Sequence, residues 1–321
     1  MKNIFVFDLD NTLGWKTPLF PHVTRTNIDY LRKLSSDKEN LLLFATGRPR
    51  SLVRLAMRYG ALKPTEIYHV FPLGGVYEDG LYVESADRKI IYNAISEAPA
   101  LFKEIKASFF DKNAECFFYS RGFALFPRII LMQEKTGSLS PKDYGGRTIK
   151  REIKLPKCLI PLWQQDNDVK ETYKTPIGYK GDNLNALEPI FKEVYECTVD
   201  HLNRRFASWK QVGKLERWKD AIDFYPRLDD NEDVFRKEEG VEKLLSRVNV
   251  PQNTKFFVCC DTRNDIRLVD YIANKYPNYH VVCPSNATQD LVEKLKNEGY
   301  NHTILEQDCT RFAEGLSRLL S

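Results

Sequence analysis

At 321 residues, with 42% apolar and 29% charged residues, the chain has the make-up of an ordinary globular protein with room for one or two cores. A net charge of +4 is too mild to argue for nucleic acid, although it suits small phosphorylated partners. The short apolar run after Met1-Lys2-Asn3 is broken by Asp8, so no signal peptide is expected, and no window reaches the length of a membrane span. Seven cysteines with no C-x-x-C pair or zinc spacing point to a reducing, cytoplasmic setting.

The first part of the chain alternates strand and helix signals. Ile4 to Phe7 is predicted as a strand. Thr24-Arg25-Thr26-Asn27 reads as a helix start, with Ile28, Leu31 and Leu34 following at helical spacing. Leu41 to Ala45 is a continuous apolar run, as expected of a strand buried on both faces. Leu52, Leu55, Ala56 and Tyr59 predict a helix, His69 to Leu73 a third strand, and Gly74-Gly75 a turn. Glu78-Asp79-Gly80 fits a hairpin turn between Val76-Tyr77 and Leu81-Tyr82-Val83.

The middle changes character. A helix is expected after Pro99, with Phe102, Ile105 and Phe109 on one face, then strands at Cys116–Tyr119 and Arg128–Met132. Gly137 to Asn183, rich in Gly, Pro, Lys and Asp, is too long for a plain loop. Leu187, Phe191, Val194 and Leu202 mark another helix, and Arg205–Lys214 and Ala221–Pro226 two more strands. The acidic cluster Asp229, Asp230, Glu232 and Asp233 reads as a solvated linker.

The last part returns to the first pattern. Helices are expected around Val241–Leu245, Ile266–Ala273, Leu291–Leu295 and Phe312–Leu319, and strands at Lys255–Cys260 and His280–Cys283. The expected fold is therefore α/β: a Rossmann-like parallel sheet core over 1–90 and 226–321, interrupted by an inserted α+β domain of antiparallel strands over 91–225.

Polar residues follow the apolar runs at the strand ends, where open parallel sheets bind ligands. Asp8 and Asp10 end the first strand, Thr46-Gly47-Arg48 the second, and Asp261, Asn264 and Asp265 a later one, while Lys237 opens the helix that feeds it. Two carboxylates held close together repel, so a cation or a shared proton is needed. Asp8, Asp10, Asp261 and Asp265 form an all-oxygen set suited to Mg²⁺. With Lys237 and the Thr46 hydroxyl, they make a kit for phosphoryl transfer.

These residues resemble the haloacid dehalogenase superfamily. Its D-x-D-x-T motif stands as Asp8-Leu9-Asp10-Asn11-Thr12, its Thr motif as Phe44-Ala45-Thr46-Gly47-Arg48, its Lys motif as Lys237-Glu238-Glu239-Gly240-Val241, and its last acidic motif as Cys260-Asp261-Thr262-Arg263-Asn264-Asp265. Cys260 stands where that family usually has Gly, and Glu238 follows Lys237 where Gly is common; Lys243 and Lys219 are competitors for the lysine role. The position of the insertion resembles a C2-type cap, and the Thr-Gly-Arg form resembles the Cof-type, sugar-phosphatase branch. That branch includes sucrose-phosphate, trehalose-phosphate and mannosyl-phosphoglycerate phosphatases and phosphomannomutase.

The resemblance implies a Mg²⁺-dependent phosphomonoesterase acting on a small phosphorylated metabolite through an aspartyl-phosphate. Asp8 would be the nucleophile and Asp10 the acid and base. The Asp8 carboxylate, the Asp10 backbone carbonyl and Asp261 would hold Mg²⁺, with Asp265 as a ligand or acting through water. Thr46 would bind a phosphoryl oxygen, with Gly47 and Arg48 beside it, Lys237 would offset charge, and Asn264 would orient its neighbours. A phosphomutase and a catalytically inactive binding protein are the alternatives. Arg48 has two readings, a phosphate or cap contact and an ordinary ion pair; the basic stretch Lys142, Arg147, Lys150, Arg151, Lys154 and Lys157 also has two, a solvated loop and a contact to an anionic leaving group. Trp163, Trp209 and Trp218 are read as packing residues, with sugar stacking as the alternative. No nucleic-acid or membrane partner is expected.

Overall fold

The computed structural model describes residues 2–16, 21–48, 50–63, 65–101, 131–133, 175–180, 199, 203, 208–217, 221–227 and 236–321. The chain divides into two compact units, Met1–Asn93 with Arg236–Ser321, and Ala94–Phe235.

In the first unit, β1 (Asn3–Phe7) lies between β4 (Asn40–Ala45) and β12 (Lys255–Cys259), parallel to both. Beyond β12 come β13 (Tyr279–Cys283) and β14 (His302–Ile304), also parallel. Beyond β4 come β5 (Gly74–Tyr77), parallel, and then β6 (Tyr82–Glu84) and β7 (Ile90–Asn93), antiparallel, which completes an eight-stranded sheet. The central strands β1, β4 and β12 are apolar and buried along nearly their whole length because both faces are covered. Ile4 and Val6 enter one core with Leu43, Val241, Val258 and Val269. Phe5 and Phe7 point the other way by strand alternation, and Phe5 stacks on Phe257 with ring centroids 4.6 Å apart.

Helices fill the crossovers. The helix α1 (Arg25–Ser36) begins where the Thr24 side chain accepts from the Asn27 N–H, and it buries Ile28, Leu31 and Leu34. A short hairpin of β2 (Gly14–Lys16) and β3 (Pro21–Val23), absent from the sequence reading, precedes it. The helix α2 (Arg50–Tyr59) follows β4.

The predicted strand at His69–Leu73 is not formed. Residues Ile67–Val70 make a single helical turn, α3, and the strand starts later, at Gly74. Pro72 has no N–H to give a ladder, so the apolar run is buried as a turn of helix instead. Gly74 and Gly75 are accordingly strand residues. A Cβ at Gly75 would lie 2.0 Å from the Phe44 ring, so the ring of the neighbouring strand covers bare backbone there.

In the second unit, α4 (Ala94–Glu97) and α5 (Trp209–Val212) accompany a four-stranded sheet of order β10 (Gly213–Arg217), β11 (Ala221–Pro226), β9 (Thr175–Lys180), β8 (Leu131–Gln133). The β8–β9 pair is parallel, unlike the all-antiparallel expectation. Of the predicted strand at Arg205–Lys214, residues 205–207 lie outside the described residues, Trp209–Val212 form a helical turn in which Trp209 is buried and donates to Asn203 at 3.0 Å, and the strand begins at Gly213. The predicted helix through Phe102, Ile105 and Phe109, the Cys116–Tyr119 strand, the Leu187–Leu202 helix (save Val199), the basic stretch 142–157, the acidic cluster 229–233, and Trp163 and Trp218 lie outside the described residues.

The chain re-enters the first unit at α6 (Lys237–Leu245), followed by α7 (Ile266–Lys275), α8 (Gln289–Asn297) and α9 (Phe312–Leu320). No helix among the described residues is long and apolar enough to cross a membrane.

Candidate active site

The strand β1 delivers Asp8 to the carboxyl edge of the sheet, where its N–H donates to the Cys259 carbonyl at 2.9 Å. The chain then closes a helical turn, with the N–H groups of Leu13 and Gly14 both donating to the Leu9 carbonyl at 3.1 and 2.9 Å. Within that turn Asn11 takes a φ of 55°, a conformation asparagine tolerates better than most residues. The turn sends Thr12 back under the strand ends, where its hydroxyl donates to Asp261 Oδ1 at 3.1 Å. Buried Asn27 holds the far side, donating to the Leu13 and Cys309 carbonyls, each at 2.8 Å, and accepting from the Ala313 N–H at 3.0 Å.

Lys237 is the first residue of α6. Its ammonium donates to Asp8 Oδ1 and to Asp265 Oδ1, both at 2.7 Å. Gly240 lets the helix come that close: a Cβ there would sit 2.5 Å from a Val76 methyl and 3.1 Å from the Gly80 backbone. Of the competing lysines, Lys243 lies at the other end of the helix, 4.6 Å from the Tyr92 ring centroid. Lys219 is outside the described residues. Asp261 follows β12, and Asp265 lies in the short 3₁₀ turn that starts α7. Cys260, in the place of a glycine, continues the strand with its N–H on the Val282 carbonyl at 3.2 Å and has no positive φ, so no glycine is required there.

Asp8, Asp261 and Asp265 each offer an oxygen within 4.8 Å of the others, and all three are buried. Burial pushes the Asp8 carboxyl up to about 7, against the pull of Lys237 and with a push from Asp265 and Asp10. Burial, then Asp8 and Asp265, push Asp261 up to about 9. Burial disfavours the Lys237 ammonium, yet Asp265, Asp8 and Asp79 outweigh it and hold its pKa well above the ordinary value. One ammonium among three carboxylates leaves an excess of two negative charges when all are ionised. The donors are all hard oxygens. That set fits a divalent cation of the Mg²⁺ type, which Asp8, Asp261 and Asp265 could hold.

The second strand end is built differently. The Thr46 N–H donates to the Val76 carbonyl at 3.0 Å, and its carbonyl accepts from the Asp79 N–H at 3.1 Å. Its hydroxyl accepts from the Arg48 N–H at 3.2 Å. Arg48 Nε donates to Asp10 Oδ2 at 2.7 Å, with the two side chains 25% and 22% exposed. Gly47 lies half-buried between Thr46 and Arg48. Asn264 is exposed in the turn before Asp265. The structure thus gathers Asp8, Lys237, Asp261 and Asp265 into one cluster and pairs Asp10 with Arg48.

Two further residues reach this site without having been singled out. Thr12 was visible as the last position of D-x-D-x-T. In the sequence Asp79 reads only as a turn residue; its φ of 55° beside Gly80 marks the turn, and nothing in sequence places it beside Lys237.

A sequence profile of the haloacid dehalogenase-like hydrolases matches residues 5–303. No curated protein matches the chain. Among solved structures, the chain resembles the C-terminal domain of a trehalose-6-phosphate phosphatase from C. albicans, at 14% identity and a TM-score of 0.56, covering 99% of this chain and 91% of that one. It resembles a protein from Thermotoga maritima at 18% identity and a TM-score of 0.52, covering 100% and 97%. A sugar phosphatase of haloacid dehalogenase subclass IIB aligns at 16% identity and a TM-score of 0.50, covering 99% and 97%. The sequence profile spans most of the chain, and the chain belongs to the haloacid dehalogenase-like hydrolases.

Proposed function

We propose that this hydrolase is a Mg²⁺-dependent phosphomonoesterase acting on a small phosphorylated metabolite of the sugar-phosphate class. The observation that carries the reading is Asp8 itself. A buried carboxylate with an ammonium on one oxygen, inside a set of three acids, is arranged to face a phosphoryl group. The likeness to structures described as sugar and trehalose-6-phosphate phosphatases supports the substrate class.

In this reading Asp8 attacks phosphorus. A bond forms between its carboxylate oxygen and phosphorus, and the bond from phosphorus to the leaving oxygen breaks. Asp10 gives its proton to that oxygen, then takes one from the water that hydrolyses the aspartyl-phosphate. Lys237 balances charge on Asp8, and Thr46 binds a phosphoryl oxygen. Thr12 steadies Asp261 through its hydroxyl. Bound Mg²⁺ would supply charge neutralisation for the phosphoryl oxygens. In this reading the inserted unit chooses the leaving group, because among the described residues the cluster's groups handle the phosphoryl group and its first oxygen.

The test is phosphate release from an aryl phosphate by wild type and Asp8→Asn, with Mg²⁺ and with chelator, followed by a panel of sugar phosphates. Activity that needs both Asp8 and Mg²⁺ is expected, with free phosphate rather than an isomer as product. Release that survives Asp8→Asn would overturn the nucleophile.

A further inference from the structure

Behind the Thr46–Arg48 loop lies a polar network that the proposed chemistry does not use. Arg50, the first residue of α2, forks onto Glu84 at the end of β6: Nε donates to Oε2 at 2.6 Å and Nη2 to Oε1 at 2.7 Å. The two side chains are 11% and 1% exposed. The hydroxyls of buried Tyr68 and Tyr77 lie 2.8 Å apart in the same region, and both tyrosines face Glu84 electrostatically.

A buried ion pair is an expensive way to join a helix to a strand, since both ions lose water. What the fork gives beyond an apolar contact is direction, because a bidentate guanidinium–carboxylate pair permits one geometry. Its position shows what is being directed. The loop between β4 and α2 is four residues long, 46–49. Its first residue is held by Val76 and Asp79, and the residue after it by Glu84. All three belong to β5, β6 and the turn between them. A short loop pinned at both ends to one hairpin has little freedom left, and it carries Arg48, whose Nε sits on Asp10.

We propose that Arg50 and Glu84 are positioning residues for Asp10. The fork fixes the end of the loop, the loop presents Arg48, and Arg48 aims the Asp10 carboxyl at the leaving oxygen. This rests on the phosphatase reading.

The experiment compares kcat/KM for a sugar or alkyl phosphate, whose leaving oxygen must be protonated, with that for 2,4-dinitrophenyl phosphate, whose leaving group departs unprotonated. Wild type, Asp10→Asn, Glu84→Gln and Arg50→Lys are measured with Mg²⁺. A double variant, Arg50→Met with Glu84→Leu, keeps the site filled without fixing its direction, and thermal melts check that each variant is folded. Glu84→Gln, Arg50→Lys and the double variant are expected to lose about tenfold or more on the alkyl ester, as for a misplaced catalytic group, and less than about threefold on the aryl ester. Asp10→Asn should show the same split more strongly. Equal losses on both esters, or none in folded variants, would overturn the positioning role and leave the phosphatase reading standing. Wild type without Asp8-dependent release would overturn that reading, and the inference with it.

Discussion

Asp8 and Asp10 are two residues apart and live in different surroundings. Asp8 is 6% exposed, on an ammonium, within a set whose members are tied to β1, β12, α6 and the turn before α7. Asp10 is 22% exposed and paired with an arginine from a loop. The difference follows from the tasks proposed for them. A nucleophile must stay still and be stripped of water, whereas an acid that later serves as a base must exchange its proton with different partners. The sheet edge supplies the first condition and the partial exposure of Asp10 the second.

The largest expected break in this comparison is chemical. Asp8→Asn should abolish phosphate release from every ester, by at least about 10³-fold. Asp10→Asn should instead be graded, losing about 10²–10⁴-fold on esters with poor leaving groups and far less on activated ones. Matching losses for the two variants across a leaving-group series would erase the distinction.

Next comes Lys237→Met, which keeps the packing of the stem and removes the charge. A fall of about 10²–10³-fold in kcat is expected, as for loss of a charge-stabilising donor. Steady-state kinetics with good and poor leaving groups should show the same loss for both, since Lys237 faces Asp8 and not Asp10.

A third effect is pH-dependent and confined to the buried side. In metal-free protein, Asp8 and Asp261 titrate at about 7 and 9, above the ordinary 3.8. A carboxyl raised by folding stabilises the fold fully below its unfolded pKa, and that contribution is lost as pH rises through the folded pKa. With chelator, the melting temperature should therefore fall between pH 4 and 9. Mg²⁺ takes the ionised forms, so its affinity should rise by at least about tenfold per pH unit from pH 6 to 8, read by calorimetry. A pH-independent affinity would contradict the buried set as the metal's ligands.

The smallest contrast is in stability. Thr12→Val removes a buried donor to Asp261 and should cost about 1–2 kcal/mol in urea unfolding of metal-free protein. Arg48→Gln removes a quarter-exposed partner and should cost less than about 1 kcal/mol.

Much of this was legible in sequence, for identifiable reasons. Parallel strands covered on both faces must be apolar along their length, so β1, β4, β12 and β13 stood out as runs, and the polar residues that ended them marked the site. Lys237 stood out through the glycine three residues later that α6 needs in order to approach β5. The signal failed where burial had another cause. The run at Ile67–Leu73 is apolar because it is buried as a turn of helix, with Phe71 edge-on to Phe44 of β4, not because it is a strand. Short β2, β3, β7 and β14 carry too few residues to show a period. The Arg50–Glu84 fork joins positions 34 apart, and neither residue looks unusual in its own neighbourhood.

The placing of β1 between β4 and β12 has a consequence for synthesis. The Lys237 contact to Asp8 spans 229 residues and the Thr12 contact to Asp261 spans 249. At about 5–20 residues per second, a ribosome needs roughly 10–45 s to pass from one end of the first contact to the other. Until then β1 has a neighbour on one edge only, and the other edge, Ile4 to Phe7, presents unpaired backbone to whatever else is nascent. The inserted unit is translated within that interval. The three strands β12, β13 and β14 must therefore find an edge that has waited through the making of the whole inserted unit, and a chain released early carries Asp8, the proposed nucleophile, without Lys237, Asp261 and Asp265 beside it.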